Sequence, residues 1–200
     1  MAHKQILALY DFDGTITNND TFIDIIRHTF SFRAFMCGFL LHLPEIIAFK
    51  LKLYPNWKAK EKIFNHFFGG MHIDDFNKIC QSYFEFRHES ILRKDAIESI
   101  KKHQNAGNRV AIVSASIKNW IQPFADYLGI ENIISTTAEI SNDKLTGKFS
   151  NKNCHGTEKV EKSKIAFPDR DKYTIYAYGD SSGDKPMLAY ANKAFYRTFE

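Results

Sequence analysis

Two pairs of aspartates follow apolar segments of the chain. Asp11 and Asp13 come after the run QILALY in the motif DFDGT, and Asp180 and Asp184 come after the run TIYAY in the motif GDSSGD. Four carboxylates brought together would repel one another, so a hard divalent cation is their natural counter-charge. Because the protein would supply few ligands, Mg²⁺ fits such a site better than Ca²⁺. We therefore predict a magnesium site formed by Asp11, Asp13, Asp180 and Asp184.

A serine ends a third apolar segment. Ser114 follows the run RVAIV, and Gly14 follows Asp13 at a point where the chain has to turn sharply. In an open α/β sheet, ligands bind outside the carboxyl ends of the parallel strands. If the three apolar runs are strands of one sheet, Asp11, Ser114 and Asp180 meet at one edge of it although they are far apart in the sequence.

Hydrophobic patterning predicts the elements that would hold these groups. Apolar runs too short for helices predict buried strands at 5–10, 109–113, 133–136, 174–178 and 194–196. Helical patterns separate most of them, at 95–105, 117–128, 157–167 and 185–190. The segment 137–149 alternates around Asn142 and Asp143 and predicts a hairpin. Strands that alternate with helices indicate an α/β fold, in which a Rossmann-like parallel sheet lies between two helical layers.

A long segment with only helical patterning lies between the first and second predicted strands. Turn residues are the only interruptions in it. We predict an inserted, all-helical cap domain at 17–88 and a core domain formed by 1–16 plus 89–200. Asn56 is expected to cap one of the helices of the inserted segment.

The segment 30–53 is dense in Phe, Leu and Ile and approaches the length of a membrane span. Arg33, Glu45 and Lys50 interrupt it, which makes a membrane-spanning helix costly. A helical hairpin with a break near Pro44 is therefore favoured. Contact of this segment with a membrane surface stays open, although we do not expect it.

Composition narrows the other functional classes. The 200 residues carry a net charge of +4, and most of the 27 basic residues lie in helical stretches, so we expect no nucleic-acid partner. The three cysteines form no CxxC pair, which indicates free thiols in a reducing compartment. The start of the sequence lacks the pattern of a signal peptide, and a cytoplasmic location is expected. The sequence does not indicate an oligomeric state.

Competing motifs can be checked against the same residues. Neither acidic cluster is an EF-hand loop, because Ile16 or Lys185 stands where such a loop needs its sixth-position glycine. GDSSGD contains the GxSxG pattern of a serine esterase around Ser181, but the last histidine, His155, precedes that serine. An inactive binding module would lack the first pair of aspartates, which is present. A serine esterase and a binding module are therefore the less favoured alternatives.

The motifs and their order resemble the haloacid dehalogenase superfamily, in its phosphoserine-phosphatase-like branch (subfamily IB) with a helical cap of the C1 type. DFDGT resembles the first motif, Ser114 in VSAS the second, Lys159 in CHGTEKV the third and GDSSGD the fourth. The helical segment also lies where this branch places its cap. The resemblance implies a magnesium-dependent phosphatase that forms an aspartyl-phosphate and acts on a small phosphomonoester.

The resemblance also implies roles for the four aspartates. Asp11 is the nucleophile. Asp13 is the general acid and base, and its main-chain carbonyl also binds the metal. Asp180 is a further metal ligand, and Asp184 is a water-mediated or outer partner that orients it.

Phosphate binding is assigned to the second and third motifs and to the loop of the first. Ser114 donates a hydrogen bond to a phosphoryl oxygen, and Lys159 neutralises charge on the phosphoryl group. Gly14 and Thr15 complete the phosphate-binding loop, where Thr15 is expected to orient the general acid. His155 is the alternative to Lys159 for the third-motif role.

The substrate follows less directly from the resemblance. Asp20 lies where phosphoserine phosphatases hold the ammonium group of the substrate, which favours a small metabolite such as phosphoserine. Gly183 stands where those enzymes often have asparagine, which weakens the case for phosphoserine itself. Lys58, Lys60 and Lys62 are available to bind a substrate carboxylate. The Phe- and Leu-rich segment resembles relatives that act on lysophosphatidate or phosphatidylglycerophosphate, so a lipid-phosphate phosphatase is the alternative.

Overall fold

A computed structural model describes residues 4–51 and 53–200 of the chain. In this part of the chain, a five-stranded sheet has the order β3-β2-β1-β6-β7, and every neighbouring pair is parallel. Its strands are β1 (Gln5–Tyr10), β2 (Arg109–Ile117), β3 (Asn132–Thr136), β6 (Tyr173–Gly179) and β7 (Lys193–Tyr196). The predicted α/β class with a Rossmann-like parallel sheet is confirmed.

An antiparallel hairpin stands beside the sheet. It consists of β4 (Ala138–Ser141) and β5 (Lys144–Phe149), as the alternating pattern predicts. Asn142 and Asp143 form its turn with φ of 49° and 59°, a conformation that these two residue types tolerate better than most.

The helices lie mainly in the two long connections of the chain. They are α1 (Thr21–Thr29), α2 (Phe32–Leu41), α3 (Leu43–Lys50), α4 (Asn56–Phe68), α5 (Ile73–Ile91), α6 (Lys94–Asn105), α7 (Lys118–Tyr127), α8 (Thr157–Ala166) and α9 (Lys185–Tyr190). The break predicted near Pro44 falls at His42, which leaves the proline in the first turn of α3, where its missing N–H costs nothing. No helix in the described residues is long and apolar enough to cross a membrane.

The expectation that Asn56 caps a helix is wrong. Pro55 takes an extended conformation immediately before α4 and occupies the capping position, so Asn56 is already the first helical residue. No side chain accepts a hydrogen bond at this helix start. The ring of Pro55 holds its φ at −65°, and the helix begins directly after it.

Alternate residues of β1 face the two sides of the sheet and divide the core. Ala8 and Tyr10 belong to a large apolar cluster with α1, α4, α5, α6 and α7. Leu7 and Leu9 belong to a second cluster on the opposite side, which includes Val160 of α8 and residues of α9. The period of two in a strand thus produces the three layers.

The inserted helices pack closely against other elements of the chain. The amide of Phe149 in β5 donates a hydrogen bond to Oε1 of Glu61 in α4, at 2.8 Å. The long helix α5 packs along α7. At the other side of the insertion, Asp24 of α1 accepts hydrogen bonds from Tyr83 and Arg87 of α5. The division into a core and a cap at 17–88 stays a prediction, but these contacts fix α4 and α5 to the rest of the fold.

Candidate active site

The carboxyl ends of three adjacent strands carry the polar groups singled out in the sequence. Asp11 follows β1 directly and Asp180 follows β6, while Ser114 lies in the last turns of β2. The amide of Asp11 donates a hydrogen bond to the carbonyl of Tyr178 at 2.9 Å, which continues the pairing of β1 with β6. The two predicted strand ends therefore meet, and Asp11 and Ser114 are both buried there.

Three carboxylates form an acidic cluster at this edge. Oxygens of Asp11, Asp180 and Asp184 lie within 4.8 Å of one another. Burial and, after it, the neighbouring Asp184 raise the pKa of Asp180 above its ordinary value, which reports the crowding of negative charge. Closely spaced, hard carboxylate oxygens suit Mg²⁺, so this donor set fits the predicted ion.

The side chain of Asp13 does not belong to that cluster. Its Oδ1 accepts hydrogen bonds from the amide and the hydroxyl of Thr21, at 2.8 and 2.5 Å. Its Oδ2 accepts a very short hydrogen bond from the hydroxyl of Ser116. Binding of a metal by Asp13 would therefore use its main-chain carbonyl, and that role stays a prediction. Burial and the carboxylate of Asp20 raise the pKa of Asp13, which favours the protonated form that a general acid needs.

Two of these partners were not identified from the sequence. Ser116 lies two residues beyond Ser114, where the pairing of β2 with β3 shifts register between Ser114 and Ile117. Thr21 is the first residue of α1, and its hydroxyl is held by Nε1 of Trp120 at 3.2 Å. The only sequence signal for them is the accumulation of hydroxyl residues near two motifs.

The hydroxyl of Thr15 points away from the general acid. It was expected to orient Asp13, but it donates a hydrogen bond to Oδ1 of Asp180 at 3.3 Å. Gly14 explains the change of direction, because its φ of 79° turns the chain between them. A Cβ atom on Gly14 would lie 2.5 Å from Oδ2 of Asp180, so the loop approaches the carboxylate as closely as only glycine allows.

Lys159 joins the nucleophile candidate to the fourth motif. Its buried Nζ lies 2.5 Å from Oδ1 of Asp11 and 2.5 Å from Oδ1 of Asp184. Burial alone would lower the pKa of Lys159, but the two carboxylates raise it above its ordinary value and keep the ammonium charged. The other oxygen of Asp184 accepts from the amides of Asp180 and Ser181. Lys159 thus has the contact that the third-motif role requires.

His155 lies elsewhere in the same site. A Cβ atom built on Gly183 would lie 2.5 Å from Nε2 of His155, so the imidazole fills the space beside this glycine. Burial and then the Lys159 ammonium lower the pKa of His155, which favours the neutral imidazole. His155 lines the cavity in front of Asp11 without replacing Lys159 at that carboxylate.

Ser181 has the wrong partner for an esterase nucleophile. Its hydroxyl donates a hydrogen bond to Oδ2 of Asp184 at 2.7 Å. A serine nucleophile needs a base, usually an imidazole, that accepts its proton. Here the same carboxylate also caps the short turn at 182–184, so the role of the bond is structural.

The helical insertion supplies the opposite wall of a cavity of about 540 Å³. The wall includes apolar side chains from four helices, namely Phe22, Ile23, Phe39, Ile46 and Ile63. Of the three lysines considered from the sequence, Lys60 lines this cavity, and its Nζ donates to the carbonyl of Ala115 at 3.0 Å. Lys62 instead forms an ion pair with Glu45 at 2.6 Å.

Asp20 lines the same cavity but is already engaged. Its Oδ1 accepts hydrogen bonds from the amides of Phe22 and Ile23, at 3.0 and 3.4 Å. It is therefore the N-cap of α1. The predicted binding of a substrate ammonium by Asp20 stays a prediction, and the capping role is the one its contacts describe.

Comparisons with known proteins agree with this geometry. The family model described as haloacid dehalogenase-like hydrolase matches residues 8–189. The protein CicA of Caulobacter vibrioides (strain NA1000 / CB15N) is 32% identical over 200 residues, which is 100% of this chain and 89% of that protein.

Solved structures share the fold. A protein of unknown function from Bordetella pertussis Tohama I superposes with a TM-score of 0.81 at 18% identity, covering 94% of this chain and 87% of that one. A substrate-bound phosphoserine phosphatase superposes with a TM-score of 0.64 at 20% identity, covering 94% and 84%. At these identities the likeness is one of fold.

Proposed function

This chain belongs to the haloacid dehalogenase-like hydrolase family, and we propose that it hydrolyses phosphomonoesters through a phosphorylated Asp11. Membership in the family confirms the resemblance drawn from the four motifs. The observation that carries the proposal is the contact of the buried Asp11 carboxylate with the ammonium of Lys159, at the strand end where the three-carboxylate cluster lies. An anion beside a fixed cation and a metal site is arranged to receive a phosphate dianion.

The proposed reaction has two displacements at phosphorus. In the first, a carboxylate oxygen of Asp11 forms a bond to phosphorus, the bond from phosphorus to the ester oxygen breaks, and Asp13 gives its proton to the leaving alcohol. In the second, water attacks the same phosphorus and Asp13 takes up a proton from it. The bond to Asp11 then breaks and inorganic phosphate leaves.

Neighbouring side chains would hold the participants in place. Thr21 and Ser116 occupy both oxygens of Asp13 and so fix the direction in which its proton can be transferred. Ser114 lines the cavity and donates to a phosphoryl oxygen, and Lys159 balances the charge shared between Asp11 and the phosphoryl group.

Mg²⁺ would be held by Asp11, Asp180 and the main-chain carbonyl of Asp13, with Asp184 behind them. When bound, the ion supplies positive charge that draws the phosphate dianion to the cluster and offsets charge in the transition state. Asp184 has no free oxygen for a direct role, because one is bonded to Lys159 and the other to Ser181. We assign it to orienting Asp180 and Lys159.

Substitution of the nucleophile tests the proposal. Asp11→Asn should lower kcat for p-nitrophenyl phosphate by about 10³-fold or more, because an amide of nearly the same shape is a far poorer nucleophile. Asp74→Asn, at an exposed position on α5, is the matched control and should keep full activity. Turnover by Asp11→Asn protein free of wild-type enzyme would refute the mechanism.

For the substrate, phosphoserine and a lipid phosphate are the two candidates. The apolar wall formed by residues such as Phe39 and Ile46, together with the engaged carboxylate of Asp20, favours the second. Each methylene buried on that wall contributes about 0.8 kcal/mol. A comparison of kcat/KM for phosphoserine and a short-chain lysophosphatidate, in wild type and Asp20→Ala, separates them. A preference for phosphoserine that is lost in the variant would exclude the lipid candidate.

A further inference from the structure

Helices α2 and α3 are apolar on nearly every side. Arg33 is the one charged residue of α2, and Glu45 and Lys50 are those of α3. A helix that is hydrophobic all round is normally buried on all sides. These two helices are not, so their outer surface differs from that of an ordinary exposed helix.

Their inner faces pack against the fold. Phe35, Phe39 and Ile46 are partly buried against the main apolar cluster. Gly38 lies so close to α4 that a Cβ atom there would be 2.3 Å from the ring of Phe67. The packing of the hairpin against α4 is therefore accounted for by one face of each helix.

Their outer faces carry a continuous set of exposed apolar side chains, which we term the hairpin face. On α2 it follows the spacing i, i+4, i+8, and the spacing is the same on α3 and its end. The hairpin face consists of Phe32, Met36, Leu40 and Leu41 on α2, Leu43 and Ile47 on α3, and Leu51 and Leu53 after it. Phe32 is 75% exposed and Leu53 79%. An exposed apolar surface of this extent marks a site of interaction.

The charges around the hairpin face are positive. Arg33, Lys50 and Lys58 are exposed beside it. The one acidic residue of the two helices, Glu45, is neutralised by its ion pair with Lys62 at 2.6 Å. A second copy of the chain placed on this face would bring the same cations together, whereas an anionic lipid surface complements them.

The position of an aromatic residue supports the same partner. Trp57 at the start of α4 is 43% exposed, and the ammonium of Lys58 lies 5.4 Å from its ring centroid. Trp and Lys side chains of this kind are favoured at the level of lipid headgroups. The lengths of α2 and α3 suit helices that lie along a bilayer surface rather than cross it.

The hairpin face and the catalytic cavity are two sides of the same helices. Phe39 on the inner face of α2 and Ile46 on that of α3 line the cavity, while Leu40 and Ile47, the next residues along, are on the hairpin face. A lipid surface in contact with the outer face is thus one helix diameter, about 10 Å, from the cavity.

We propose that the hairpin face binds the surface of an anionic lipid bilayer and so places the catalytic cavity beside phosphomonoesters that are anchored in it. Binding to the bilayer does not depend on catalysis. Only its use, the delivery of lipid-anchored substrates, rests on the proposed phosphatase function.

Sedimentation with vesicles tests the proposal. The full chain should bind vesicles of phosphatidylcholine with phosphatidylglycerol, and bind those of phosphatidylcholine alone much less. The double variant Leu40→Ser, Ile47→Ser should lower the binding by about tenfold or more, because two apolar side chains no longer leave water. Ile165→Ser removes an equally exposed apolar side chain on α8 and should bind as wild type. Higher salt should weaken the binding, because it screens the cations.

Two further measurements keep the outcome decisive. Turnover of p-nitrophenyl phosphate by the double variant should equal that of wild type, which separates loss of docking from loss of folding or catalysis. Equal vesicle binding by wild type, the double variant and Ile165→Ser would overturn the proposal, as would no binding by any of them. A wild-type dimer in sedimentation equilibrium that the double variant dissociates would assign the face to a second copy instead.

Discussion

Gly183 and His155 illustrate how one side chain can determine another across the active site. Phosphoserine phosphatases often have asparagine where this chain has Gly183. In this structure the imidazole of His155 lies where the side chain would begin, 2.5 Å from an ideal Cβ. The absence of an asparagine here is therefore coupled to the presence of a histidine in the third motif, and the two positions have to be changed together.

Insertion of the asparagine tests this coupling. Gly183→Asn should lower the free energy of unfolding by roughly 1–3 kcal/mol, because the new side chain overpacks the site. It should also lower kcat/KM, since the displaced imidazole borders the cavity. The double variant Gly183→Asn, His155→Ala should regain most of the stability, with His155→Ala alone as control. Urea unfolding measures the effect, and additive losses in the double variant would contradict the coupling.

At the scale of residues, the sequence predicted the groups that carry charge better than the groups that hold them. Asp11, Asp180 and Lys159 converge as expected from strand ends and motif order. Thr21 and Ser116 were missed because their contact with Asp13 depends on a shift of strand register and on the position of a helix start. Such features are set by tertiary packing, which no local pattern encodes.

At the scale of elements, the start of α1 ties the helical insertion to the general acid. Thr21, the first residue of the helix, binds Asp13, and Asp20 before it caps the helix through its Oδ1. The helix start is therefore both a structural terminus and part of the catalytic arrangement. Loss of the cap would loosen the partner of the general acid.

Two substitutions distinguish the capping role of Asp20 from ammonium binding. Asp20→Ala should lower the free energy of unfolding by about 1 kcal/mol, whereas Asp20→Asn should be close to wild type, because asparagine caps as well as aspartate. If Asp20 binds an ammonium group, both variants should instead lose kcat/KM for phosphoserine, since both lack the charge. Urea unfolding and phosphoserine kinetics on the same preparations give the answer.

Most elements could be predicted from period and composition, and their junctions could not. The hairpin at Asn142 and Asp143 and the buried strands follow from patterns that are local in the chain. The start of α4 was misplaced because Pro55, rather than the polar Asn56, occupies the capping position. The close packing of α5 on α7 and of α4 on β5 joins segments that are distant in sequence, so it was not visible there.

At the scale of the whole molecule, the acidic cluster connects the stability of the fold to metal binding. Asp11 and Asp180 belong to different strand ends, so their repulsion acts between strands of the sheet. Lys159 offsets part of that charge through Asp11 and Asp184. A divalent cation would offset the rest.

Magnesium should therefore stabilise the protein as well as support hydrolysis. At about 100 times its Kd, an ion adds about 2.7 kcal/mol, which raises the Tm of a chain of this size by roughly 5–10 °C. Asp180→Asn should abolish the shift, and the exposed Asp74→Asn should keep it. Calorimetry with and without EDTA measures it, and full hydrolytic activity after exhaustive chelation would contradict the metal requirement.

The strand order has a consequence for the biogenesis of the protein. Leu7 of β1 pairs with Arg109 on one side and with Ile175 on the other, so the strand that is synthesised first waits longest for its second neighbour. Asp11 likewise receives Lys159 and Asp184 only from the last part of the chain to leave the ribosome. The helices between can form early from local contacts. A nascent chain therefore carries its nucleophile from the outset but acquires catalytic competence only as synthesis nears its end.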